Sequence, residues 1–178
     1  STANTRYYYC VVTGGCSSTA VTSNVSGAIT VNPLPTPTFT AQPGATACAT
    51  NDVTYTTQSG QSNYIWTVPG VLNTDYSITS GGIGTGSNTV TLKWLTTGSK
   101  TVTINYTTSG CTAASATSST ATTVSAAPTP TFTSQPGASA CANTDVTYTT
   151  QSGQSNYIWT VPGVLNTDYS ITSGGTGT

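Results

Sequence analysis

Apolar and polar residues alternate with period two through several short runs of this chain, each bounded by Gly, Pro, Asn or Asp. That alternation marks a strand with one buried face. Thr38-Phe39-Thr40 predicts a first strand, and Val53 to Thr56 a second with Val53 and Tyr55 inward. Tyr64 to Val68 predicts a third, ended by Pro69-Gly70, and Tyr76-Ser77-Ile78 a fourth. Thr89 to Trp94 predicts a fifth with Val90, Leu92 and Trp94 on one face, and Thr97-Gly98-Ser99 predicts a turn. Thr101 to Tyr106 predicts a sixth with Val102, Ile104 and Tyr106 inward, and Thr122-Thr123-Val124 a seventh, paired edge strand. Tyr55, Tyr64, Trp66, Trp94 and Tyr106 are the expected core aromatics. Short strands at this spacing predict an all-β fold of two packed antiparallel sheets.

The strands fall within a repeat. Pro35–Thr85 realigns on Pro128–Thr178, a shift of 93 that carries Phe39 to Phe132, Cys48 to Cys141, Trp66 to Trp159 and Asp75 to Asp168. The substitutions are Ala41 to Ser134, Thr46 to Ser139, Thr50 to Asn143, Asn51 to Thr144 and Ile83 to Thr176. A period this long suits one immunoglobulin-like sandwich of about 100 residues and exceeds any helical solenoid unit. The expected organisation is tandem: 1–36 as the last strands of a preceding domain, 37–127 as one complete repeat, and 128–178 as the first part of the next. Proline-rich joints at 33–37 and 126–130 predict short, stiff connectors. In 1–36, Tyr8-Tyr9-Cys10 has the Y-x-C pattern of a sixth sandwich strand, with a tyrosine corner and a bridging cysteine, and Gly27 to Val31 predicts a last strand. With no Met at its start, the chain is expected to be an internal piece of a longer protein.

Composition narrows the functions. Only 4 % of residues are charged, there is no His, and the net charge is −1. Arg6, Lys93 and Lys100 are too few for a nucleic-acid footprint or a polybasic membrane patch. Thr and Ser make up roughly a third of the chain, which favours strands, and three Trp and ten Tyr argue against disorder. Serine-hydrolase chemistry needs a base, and His is absent. Asp52 and Asp75, the only carboxylates of the full repeat, stand before different strands and read as turn caps rather than an acid/base pair or calcium cage. Gly81 to Gly86 lacks the GK[ST] ending and following helix of a phosphate loop, and Gly98 to Thr101 shares that look only by accident. No catalytic, cofactor or metal residue is therefore expected, and no direct insertion into a membrane. Tyr64, Trp66 and Trp94 could form a sugar platform if exposed, but alternation turns them inward. The Thr/Ser face left outside could meet glycans or ice-like surfaces, or carry glycans itself. Asn24-Val25-Ser26 and Asn105-Tyr106-Thr107 match the glycosylation sequon.

Tyr64-x-Trp66-x-Val68-Pro69-Gly70, Val90-x-Leu92-x-Trp94, Gly98-x-x-x-Val102-x-Ile104 and Gly110-Cys111, in this order, resemble the PKD-like domain of giant secreted adhesins of gliding and other Bacteroidota. Tyr8-Tyr9-Cys10 with Gly15-Cys16-Ser17-Ser18 resembles the immunoglobulin-like modules beside them. The resemblance implies export, often by the type IX route, an extracellular cell-surface location, and a structural or adhesive role in surface filaments and gliding. The expected partners are neighbouring repeats, lateral copies of the chain and surface glycans. PKD-like domains also accompany polysaccharide hydrolases, so a carbohydrate-binding or spacer module of a secreted enzyme is the alternative. The family's W-x-F-G-D-G turn is absent, since Thr67-Val68-Pro69-Gly70 follows Trp66, and no calcium site is carried over.

Five cysteines, Cys10, Cys16, Cys48, Cys111 and Cys141, are the disulfide candidates. No CxxC pair is present, which favours structural bridges in an oxidising compartment over zinc. Two pairings stay open for Cys48 and Cys111. One is a bridge within the repeat. The other joins each Cys48 to the Cys111 of the next repeat, because the second and sixth sandwich strands run in the same direction and place the two residues at opposite ends.

Overall fold

A computed structural model of the chain describes residues 4–16, 19–82, 84 and 86–175. No helix occurs among the described residues. Two compact units, Ser1–Ala127 and Pro128–Thr178, make up the chain.

The first unit opens with a two-stranded arm. β1 (Asn4–Arg6) pairs antiparallel with β4 (Ile29–Val31), and β2 (Val11–Val12) with β3 (Val21–Thr22). Between the two ladders Ser23 and Ser26 stand in for strand partners, their hydroxyls accepting from the amides of Cys10 and Tyr8 at 2.9 Å. The predicted Y-x-C strand does not form. Tyr8, Tyr9 and Cys10 are exposed and lie between β1 and β2, and among the described residues no second sheet lies over them for a corner tyrosine to pack on.

The repeat follows with β5 (Phe39–Ala41), β6 (Thr46–Cys48), β7 (Asp52–Thr57), β8 (Ser62–Thr67), β9 (Tyr76–Gly81), β10 (Thr89–Trp94), β11 (Gly98–Lys100), β12 (Thr103–Thr108), β13 (Cys111–Thr112), β14 (Thr117–Ser118) and β15 (Thr122–Ser125). One sheet has the order β5-β7-β10-β9. A second is centred on β12, with β8 along one side and β13 and β14 along the other. A third has the order β11-β15-β6, with β15 and β6 parallel. The first two supply most of a single apolar cluster that holds Tyr55, Tyr64, Trp66, Val90, Leu92, Trp94, Ile104 and Tyr106, closed by Val102 and by Val124 of β15.

Three expectations are corrected. Gly98-Ser99 is not a turn but the start of β11, which lies against β15. β15 is not an edge strand, since β11 and β6 flank it on both sides. Val102 is fully buried but precedes β12, its amide bonded to the Ser119 hydroxyl rather than to a strand.

Among its described residues the second unit keeps one strand pair, β16 (Phe132–Ser134) with β17 (Thr149–Thr150), and an isolated bridge between Leu165 and Tyr169.

Candidate functional site

The aromatic side chains are committed to the core of unit 1. Trp66 packs against Phe39 at 6.0 Å between centroids and donates its indole N–H to the Ser87 carbonyl at 2.9 Å. Tyr64 stacks edge-on against Tyr106 at 6.0 Å, and its hydroxyl donates to the Gln58 carbonyl at 2.9 Å. Trp94 stacks edge-on against Tyr76 at 6.1 Å, and the Lys100 ammonium lies 5.3 Å from its ring centroid. Such pairs add to plain area burial. Tyr55 and Trp94 are fully buried, yet neither the Tyr55 hydroxyl nor the Trp94 indole N–H has a hydrogen-bond partner. Burial pushes the Tyr55 hydroxyl above its ordinary pKa, and the nearby Trp94 and Thr122 side chains offset only part of that. Tyr106 is raised as well, by desolvation and then by Tyr64, while its hydroxyl reaches the Thr36 carbonyl at 3.2 Å.

The carboxylates do not converge. Asp75 accepts from the Val71 amide at 2.8 Å and holds the turn after Gly70. Asp52 accepts from the Thr79 hydroxyl at 2.8 Å on the outer side of β7. Among the described residues no group of three or more His, Cys, Asp or Glu side chains could hold a metal ion. Ile83 and Thr85 of the glycine-rich loop lie outside the described residues, as do Ser17 and Ser18.

What the strands turn outward is hydroxyl. Thr54 and Thr91 face each other across β7 and β10 with their oxygens 2.9 Å apart, and Thr56 stands opposite Thr89 two positions along on the same face. Of the two sequons, that of Asn105 is spent on the fold. Its side chain donates to the Ala113 carbonyl at 3.3 Å and accepts from the Tyr106 amide at 2.7 Å, and Tyr106 and Thr107 are buried. Asn24 is exposed. Among the described residues the exposed aromatic side chains of unit 1 are Tyr7, Tyr8 and Tyr9 of the arm, and those of unit 2 are Phe132 and Tyr148. Sequence reasoning placed Tyr8 in a buried corner, and nothing local in the pattern marks it otherwise.

The five cysteines are unbridged: Cys10, Cys16, Cys48 and Cys141 are exposed and Cys111 is half-buried. The arm meets the repeat at Cys111, whose thiol lies 3.9 Å from the Asn32 carbonyl. Beside it the Asn32 side chain donates to the Ser109 carbonyl at 3.0 Å, and the Thr117 hydroxyl donates to the Pro37 carbonyl at 2.7 Å. The proline joint is thus strapped to the repeat. An open cleft of about 250 Å³ beside it, lined by Leu34, Pro35, Pro37, Ser115 and Thr117 among others, carries no titratable group.

No protein-family model matches the chain, and neither does any curated protein. Domains 4 and 5 of the S-layer protein SbsC, a solved structure, are similar at 20 % identity, over 59 % of this chain, with a TM-score of 0.28. The chain spans 63 % of that structure's length. A superposition of that score carries no argument about fold or role.

Proposed function

We propose that the chain is a segment of a tandem array of immunoglobulin-like, PKD-like β-sandwich repeats with a structural and adhesive role outside the cell, and that it performs no catalysis. The observation that carries this reading is the division of side chains in the complete repeat. Its tyrosines and tryptophans are buried, its carboxylates serve turns and strands, and its outer faces carry mainly threonine and serine. The repeats set the reach of a surface filament, and weak contacts multiplied along the chain provide adhesion. Low charge suits lateral packing of copies, since little repulsion opposes it. The location proposed is the cell surface, reached by a secretion route of the type IX kind.

The alternative, a carbohydrate-binding module, draws on Tyr7, Tyr8 and Tyr9, whose exposed rings could stack on sugar. The test is binding of the full chain to a panel of insoluble polysaccharides and surface glycans, beside a variant with all three tyrosines changed to Ser. The structural reading expects no saturable binding by either chain. Saturable binding lost in the folded triple variant would replace it with the lectin-like one.

A further inference from the structure

Cys48 and Cys111 lie at opposite ends of the complete repeat, and the chain path marks each end. Cys48 closes β6, and the parallel ladder with β15 sets it opposite Ser125. The amide of the next residue, Ala49, donates to the Ser125 carbonyl at 2.8 Å. β15 is the last strand before Pro128, so this is where the chain leaves the repeat. Cys111 sits where the chain comes in, its thiol 3.9 Å from the Asn32 carbonyl. Cys48 precedes β7 and Cys111 follows β12. The Phe39 ring lies 6.2 Å from that of Tyr55 in β7 and 6.0 Å from that of Trp66 in β8, so the chain reverses between these strands; β8 runs antiparallel to β12, so β7 and β12 point the same way. A strand of this length spans about 20 Å, which puts the two residues beyond the roughly 7 Å between Cα atoms that a disulfide tolerates.

In the repeat pattern these two ends correspond. Asn32 and Ser125 occupy the same place in it, 93 positions apart, and the chain runs into both copies on Pro-Thr-Pro-Thr-Phe, at 35–39 and 128–132. The joint residue that Cys48 sits beside is therefore the counterpart of the residue against which Cys111 rests. We infer that in consecutive complete copies Cys48 and the Cys111 counterpart of the following copy form a disulfide, so that each joint carries a head-to-tail covalent staple. This rests on the tandem-repeat reading above. Both thiols lose their protons, the S–S bond forms, and the two electrons reduce an external disulfide, such as oxidised glutathione, to two thiols.

The test extends the full chain after Thr178 with a second copy of residues 86–127, which completes the second repeat. The extended chain is held in oxidised glutathione, alkylated, and mapped by mass spectrometry, with limited proteolysis reporting whether the second repeat has folded. The expected result is a crosslink from Cys48 to the added Cys111 counterpart, with Cys111 and Cys141 in no protein crosslink and the Cys48 crosslink lost in Cys48→Ser. A Cys48–Cys111 bridge, or free thiols at both predicted positions in a folded second repeat, overturns the staple alone. A second repeat that stays protease-sensitive overturns the tandem reading and the staple with it.

Discussion

Residues 52–82 and 145–175 are identical in sequence, yet they are built differently. In the first copy Tyr55 is 0 % exposed, Val53 8 % and Val68 7 %, whereas their counterparts Tyr148, Val146 and Val161 are 50 %, 45 % and 40 % exposed. β8 and β9 have no counterparts in unit 2, and β7 shrinks to the two residues of β17. The ladders explain which elements are lost. β8 pairs only with β12, β9 only with β10, and β6 only with β15, and all three partners come from residues 86–127. Residues 128–178 match only 35–85. The single ladder internal to that half, β5 with β7, is the one that unit 2 keeps as β16 with β17.

Turn chemistry is shared by both copies. The Val71 amide donates to Asp75 at 2.8 Å and the Val164 amide to Asp168 at 2.7 Å. The Thr38 and Thr131 amides each donate to a glutamine side chain, Gln58 and Gln151, at 3.0 Å. Asn73 and Asn166 both adopt φ 64. A turn closes over a few residues and is specified where it stands, whereas a strand exists only with its partner, and its side chains are buried only under the facing sheet.

The largest contrast is expected at the tryptophans. Trp66→Ala removes a ring buried at the centre of unit 1 and should cost about 3–5 kcal/mol. Trp159→Ala, at a half-buried ring, should leave the main urea midpoint unmoved. Equal effects would show that the second copy has a core of its own. Next comes Gly81, with φ 68, where an added Cβ would lie 2.2 Å from the Thr89 carbonyl oxygen. Gly81→Ala should cost about 2 kcal/mol or more, combining backbone strain with the clash. Its counterpart Gly174 meets nothing within 4 Å, so Gly174→Ala should leave thermal unfolding of unit 1 unchanged. Asp75→Ala should cost about 1 kcal/mol by leaving the Val71 amide without its acceptor. Asp168→Ala should release the Val164 amide in the same way, and the two NMR amide shifts should move alike.

The smallest effect concerns Tyr55, whose folded pKa is raised by burial. Its contribution to stability is complete below the unfolded value of about 10 and is lost as pH rises through the folded value. Tyr55→Phe removes an unpaired buried hydroxyl, so it should change stability by less than about 1 kcal/mol at neutral pH. It should also reduce the loss seen in urea titrations above about pH 10.

The same contrast separates what the sequence made legible from what it hid. β7, β8, β10 and β12 were legible because large apolar side chains recur at every second position, as Val90, Leu92 and Trp94 do. β6 and β11 were not, because Thr46-Ala47-Cys48 and Gly98-Ser99-Lys100 have no apolar stripe, and their strand character comes only from β15. Tyr8 misled for the related reason that a corner tyrosine needs a second sheet, and the described residues place none over the arm. Nor does alternation show that Cys111 touches Asn32, a contact made across the joint.

Hydrogen exchange tests the central claim, that residues 86–127 turn this sequence into buried strands, on the chain as it stands. Any peptide cut from within 52–82 has a chemically identical twin from 145–175, so mass spectrometry reads both copies in one envelope. The account predicts two isotopic populations of equal abundance for peptides covering Ser62–Thr67, one slow and one fast, in a ratio that does not change with labelling time. A single envelope would contradict it, since both copies would then be equally ordered or equally open.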